Sequence, residues 1–324
     1  MDYAKYIVSI GLLLAVAIIY EKYKVHTEED EEMRQYELVR QYLVTDSSLA
    51  KSKMPILWIY VDYPVNARNW PSFFSRNTID LNQPYMFLTI KTIIDKCGGS
   101  FNICLIDDDS FQNIIPGWNI DMSKIPSPIH DKVRDLAMAR LLKYYGGLIV
   151  PPSFICEKNL AKDYFDATHG YNKPIIGELI NRNITSDNIQ YMASRKILGA
   201  KKESPVIDEY ISYLEKLISS DYTAESRFLG SQDRWLQNKV DRGEIMIIEA
   251  SKLGQRDNEG KRVDLDVLIG SSYADLSEQR LGVYIPSTSI LKRSAYAWFA
   301  SLTAQEAMAS DTYIGKLLLC KCSI

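Results

Sequence analysis

Residues 129–160 read IHDKVRDLAMARLLKYYGGLIVPPSFICEKNL, and every other part of the chain is interpreted from this stretch. Val133, Leu136, Ala137, Leu141 and Tyr144 recur near the 3.6-residue period with no Gly or Pro between them, which predicts a helix of about four turns. Gly146-Gly147 ends it, because glycine tolerates the left-handed conformation of a helix terminus. Leu148-Ile149-Val150 is a short apolar run suited to a buried strand, and Pro151-Pro152 forces that strand to stop.

Upstream, Pro55 to Val61 reads as a first core strand, with Trp58 and Tyr60 on one face toward its carboxyl end. In open α/β sheets ligands gather outside those ends, so the two aromatics are either binding residues or core. Asn82-Gln83-Pro84 introduces a helix that closes at Gly98-Gly99, and Phe101 to Ile106 is a second strand. Asp107-Asp108-Asp109 follow, as a metal site or as caps of the short helix begun by Ser110, Phe111 and Ile114. Downstream, Pro174 to Glu178 predicts a strand, Asn181 to Gln190 a polar loop, and Ser204-Pro205 the start of an amphipathic helix to Ile218. Phe228 to Leu236 begins another helix, where Gln232, Asp233 and Arg234 follow a flexible Gly-Ser and project into a cleft, with Asp233 as a base or acceptor binder, or where Asp and Arg form a structural pair. Glu244 to Glu249 and Gly282 to Pro286 are further strands, and Ser287 to Met308 a closing helix. Strands alternating with helices predict an α/β three-layer domain over residues 53–324.

Ahead of it, Ile7 to Tyr20 carries no charge. Extended to Tyr3 and Tyr23, with Lys5 and Lys22 snorkelling, this apolar run predicts an N-terminal transmembrane helix within residues 1–24, a single-pass anchor in membrane lipid. Thr27 and the acids Glu28 to Glu32 then open a solvated helical stem, residues 25–52. A net charge of −3 and scattered basic residues give no reason to expect nucleic acid as a partner. Cys97, Cys104, Cys156, Cys320 and Cys322 form no zinc pattern, and His26, His130 and His169 are too dispersed for a ligand cluster. Asn183-Ile184-Thr185 is a glycosylation sequon of the kind chance supplies. No Ser-His-Asp arrangement, phosphate-cradling glycine loop or basic-aromatic stripe points to a hydrolase or nucleic-acid binder.

The 129–160 stretch resembles the nucleotide-sugar site of the DXD-type sugar transferases, the group of the alpha-1,6-mannosyltransferases, capsular polysaccharide transferases and glucosylating toxins. There a helix with an early Asp runs into Gly-Gly, a strand and Asp-x-Asp. Asp135, eleven residues before Gly146, matches the early Asp. The two carboxylates of Asp-x-Asp fall on Pro151 and Ser153, and the family's helical Arg falls on Met138. Arg140 lies nearby but about 200° around a helix that turns roughly 100° per residue. The overall pattern, with its short anchor, also resembles membrane-anchored proteins of large DNA viruses.

The resemblance implies an A-type glycosyltransferase-like (Rossmann-like) fold and a nucleotide sugar as donor. On that basis Tyr60 or Trp58 stacks on the base, Asp107 matches the acid after the second strand, and Asp135 binds a sugar hydroxyl. Ser153 stands at the lost Asp-x-Asp, so manganese or magnesium loses its ligands, and no metal is assigned. Arg134, Arg140, Lys158 and Arg182 are then the basic groups available to steady a leaving diphosphate, with Asp233 serving the acceptor, a glycan or a protein. Two expectations follow: a membrane-anchored transferase that needs no metal, or a disabled one serving as a membrane-tethered scaffold. An open, basic cleft at Pro151 to Ser153 distinguishes the first from the second.

Overall fold

Helix Ile129–Tyr145 ends at Gly146 and Gly147, both at positive φ, and the strand Gly147–Ile149 begins at once. Gly147 has no alternative, since a Cβ there would lie 2.2 Å from the Ile56 carbonyl oxygen of the neighbouring strand. The structure, a computed structural model, describes residues 54–61, 83–126, 129–182, 189–219 and 230–322. All of them belong to one unit, Leu43–Ile324. The expected anchor and stem, the Asn66 to Arg76 loop and the Asn183 sequon lie outside the described residues. Among the described residues no helix is long and apolar enough to cross a membrane.

The strands are β1 (Ile56–Tyr60), β2 (Asn102–Ile106), β3 (Gly147–Ile149), β4 (Phe154–Cys156), β5 (Ile175–Ile180), β6 (Tyr191–Ala200), β7 (Met246–Ile248) and β8 (Gly282–Tyr284). Six form one mixed, mostly parallel sheet in the order β2-β1-β3-β6-β5-β7, in which β6 alone runs against its neighbours; β4 and β8 pair antiparallel beside it. Ile56 and Trp58 of β1 share a core with helices Ile129–Tyr145, Pro205–Ile218 and Ser231–Asp241. Leu57 and Ile59 point the other way and are just as buried, so both faces of the sheet are covered. Helix Met86–Cys97 packs against β4 and against the terminal helix Tyr313–Cys322.

Two expectations are corrected. The closing helix over 287–308 is three short helices, Ser287–Lys292, Ala297–Ala300 and Ala304–Ala309. Arg293 turns to extended backbone, and Thr303 starts a new helix by exchanging hydrogen bonds with Glu306. The longest strand, β6, lies where no strand was expected. Between Ile176–Leu198 and Gly177–Ser194, one step along β5 spans four residues of β6, so Arg195, Lys196 and Ile197 bulge out of the ladder. A bulge turns side chains away from strict alternation, and here it turns a basic pair toward the sheet's ligand end.

Candidate functional site

The carboxyl ends of β1 and β3 and the bulge of β6 meet around an open cleft. Three adjoining cavities of about 100, 250 and 380 Å³ all share Arg195 and Lys196 as lining. Pro151 and Pro152 floor the first two. The strand end is fixed from behind, where the Thr89 hydroxyl donates to the Pro152 carbonyl and Ser153 Oγ donates to the Ile285 carbonyl at 2.7 Å.

Neighbouring residues 134 and 135 each anchor an ion cluster. Arg134 donates to Asp108 through Nε at 3.0 Å and Nη2 at 2.9 Å; the Tyr60 hydroxyl donates to the same carboxylate at 2.9 Å and His130 lies 3.2 Å away. Burial would raise the Asp108 carboxyl, but the Arg134 hydrogen bonds and charge, with Tyr60 and His130, outweigh it and hold it below the ordinary carboxylate value. In the second cluster Arg195 joins two carboxylates, Nε to Asp135 Oδ2 at 2.8 Å and Nη1 to Asp233 Oδ1 at 2.9 Å. Asp233 reaches it from the first turn of helix Ser231–Asp241. Gln232 also donates to Asp135 Oδ2 at 3.0 Å and accepts from the Lys132 ammonium. Burial, with Arg195's charge close by, pushes Lys132 down to about 8 against the pull of Asp135 and Asp233.

Lys196 stands two residues beyond the last β3–β6 pair, Ile149 with Leu198, as Pro151 does on the other strand. Its side chain reaches solvent in the cleft, and among the described residues no carboxylate lies within 4 Å of its ammonium. The protein crowded around it, and then Arg195, lower its pKa below the usual lysine value of 10.5. Six cations and three carboxylates line the joined cavities, in a chain of net charge −3, so this cleft attracts anions.

Of the residues singled out in the sequence, Tyr60, Arg134, Asp135, Ser153, Arg182 and Asp233 line the cavities. Tyr60 does so with its ring already partnered, Arg134 lying over it at 4.4 Å and Phe111 stacking at 6.1 Å. Ser153 is buried with its hydroxyl committed, which corrects its assignment as a ligand group. Trp58 is 0% exposed and donates Nε1–H to the Gly146 carbonyl, so it locks the helix-to-strand turn instead of stacking on a ligand. Asp107 accepts from the backbone and hydroxyl of Ser110 and serves the turn into the following short helix. Arg140 pairs with Glu215 at 2.8 Å and lies over Trp118, away from the cleft. Lys158 donates to the Glu278 carbonyl and lines none of the three cavities.

The residues at the Asp-x-Asp position do not fit a metal: Pro151 has no donor and the Ser153 hydroxyl is spent. Among the described residues no group of three His, Cys, Asp or Glu is placed to hold one. Sequence reasoning missed Lys132, Arg195, Lys196 and Tyr210. Two buried polar atoms at the cleft lack partners, Gln83 Oε1 and the Tyr210 hydroxyl. Neither a scan against protein-family models nor a search of curated proteins returned a match for this chain.

Proposed function

We propose that this chain is a membrane-anchored, A-type glycosyltransferase-like protein that binds a nucleotide sugar without a bound metal and transfers the sugar to a glycan or protein acceptor. One observation carries the reading: at the strand end where the resembled family holds a cation between two carboxylates, this chain opens a cleft and sends in the ammonium of Lys196. The strand order, with a single antiparallel member next to β3, supports the fold half of the proposal.

A donor diphosphate entering the cleft meets Lys196 and the exposed Arg182, whose guanidinium donates to Ser289 at 2.6 Å. Positive groups fixed in advance stabilise the charge that grows on a leaving diphosphate, the service a metal performs elsewhere. Asp135 Oδ1 and Asp233 Oδ2 accept no hydrogen bond among the described residues, which leaves one oxygen for a sugar hydroxyl and one for the acceptor's proton. The anchor half rests on residues 1–24.

A second reading, an inactive transferase acting as a membrane-tethered scaffold or structural protein, is favoured by the state of the two arginines. Arg134 and Arg195 are already neutralised by protein carboxylates. Thermal-shift titration of the full chain with a panel of nucleotide sugars, with manganese and with EDTA, separates the two. A shift with one donor, kept in EDTA, is the expected result. No shift with any donor supports the scaffold, and a shift that needs manganese rejects the metal-free mechanism.

A further inference from the structure

The smallest of the three cavities, about 100 Å³, has a character of its own. A single water needs roughly 10–15 Å³ on a comparable measure, so this space takes a group of several atoms. Met138, Ala139, Ile149 and Leu198 make its wall, and all four side chains are buried and apolar. Met138 stands where the resembled family places its helical arginine, so this wall carries no charge there. Two polar features interrupt the wall. Asp135 stands at the rim with Oδ1 unused among the described residues, and Tyr210, 1% exposed, lines the cavity with a buried hydroxyl that has no partner among them. Burial, with Asp135 close by, raises Tyr210 well above its ordinary pKa, so the phenol is neutral and available to donate.

We propose that the donor sugar carries an acetamido group and that this group fills the cavity beneath Asp135, Arg195 and Lys196. The inference rests on the donor reading above and narrows it. The acetamido methyl packs on Met138, Ala139 and Leu198, its carbonyl oxygen accepts from the Tyr210 hydroxyl, and its N–H donates to Asp135 Oδ1 in place of the hydroxyl that this oxygen would take from an unsubstituted sugar. A plain hydroxyl in the same position leaves the apolar wall uncovered and the cavity only partly filled. A deoxy sugar covers the wall but leaves the Tyr210 hydroxyl buried and unsatisfied, which proteins avoid.

Calorimetric titration of the full chain in detergent with matched donors tests this: UDP-N-acetylglucosamine against UDP-glucose, UDP-N-acetylgalactosamine against UDP-galactose, and GDP-fucose as the deoxy case. A methyl-sized group in an apolar pocket is worth roughly 10–200-fold, so the acetamido member of a pair should bind at least about 10-fold tighter than its twin. Tyr210→Phe, which keeps the ring and its stacking on Trp235, should shrink that ratio by a factor of about 2–10, the loss of one hydrogen bond. Ala139→Leu, which fills the cavity, should weaken the acetamido member more than its twin. Equal affinities within both pairs, a tighter hydroxyl twin, or GDP-fucose as the best ligand would overturn the inference. Binding of UDP as tight as that of every UDP-sugar also overturns it while leaving the diphosphate site standing. If no nucleotide or nucleotide sugar binds, the donor reading fails and takes this inference with it.

Discussion

Arg134 and Arg195 head two ion clusters only a cleft's width apart, and they are built to different ends. The Asp108 cluster closes on itself: its carboxylate receives both Arg134 nitrogens, the Tyr60 hydroxyl and His130. The Asp135–Arg195–Asp233 cluster stays open: among the described residues one oxygen on each carboxylate is unused and the Lys196 ammonium beside it has no carboxylate partner. A closed cluster holds a loop to a helix. An open one, with charge left over in a solvated cleft, is what a ligand site requires.

The contrast can be broken first at Arg195. Arg195→Met leaves two half-buried carboxylates facing each other uncompensated, and removing one partner of such a pair costs about 3–5 kcal/mol. Denaturant unfolding should show that loss, and a change below about 1 kcal/mol would mean that the triad holds nothing together. Lys196→Ala should do the opposite. Its stability should stay within about 0.5 kcal/mol of the parent, as for other surface changes. Donor affinity should fall about 10–100-fold, the worth of one charge-assisted hydrogen bond, and an unchanged affinity would remove Lys196 from the site.

Asp108→Asn tests the closed cluster. At neutral pH it should cost about 2 kcal/mol with little effect on donor affinity. Because the folded-state pKa of Asp108 lies below 3.8, its stabilisation is fully present above that value and is lost as the pH falls through the lowered one. The gap between parent and variant, followed by acid unfolding, should therefore close only below pH 3.8. The smallest effect belongs to metal: EDTA should change donor affinity by less than about twofold, since the strand end lacks the carboxylates that would coordinate an ion.

What the sequence made legible follows the same division. The helix from Ile129 and its glycine stop were readable because an apolar period and two left-handed residues are local signals. The first two strands and the Pro205 helix were readable for similar reasons. Strand β6 was not, because Ser194-Arg195-Lys196 puts three polar residues in the middle of the strand and destroys its alternation. The bulge that aims the basic pair is also what hid it. Asp135 was found because it sits on the legible helix, and Gln232 and Asp233 because a Gly-Ser precedes them, whereas Arg195, 60 residues beyond Asp135 and the group that joins the two carboxylates, lies on the strand that was not legible. Trp58 and Arg140 were misplaced because residue type and spacing suggest a role but do not reveal which neighbour a side chain has already taken.

The bulge gives the molecule a kind of modularity. The ladder to β5 lies on either side of residues 195–197 and the ladder to β3 begins at Leu198, so the sheet keeps its register whatever side chain stands at 196. A substitution at 196 therefore changes the charge of the cleft without disturbing the sheet, while position 195 is pinned by the two aspartates it joins. Variation at 196 beside constancy at 195 is the signature such a design leaves behind.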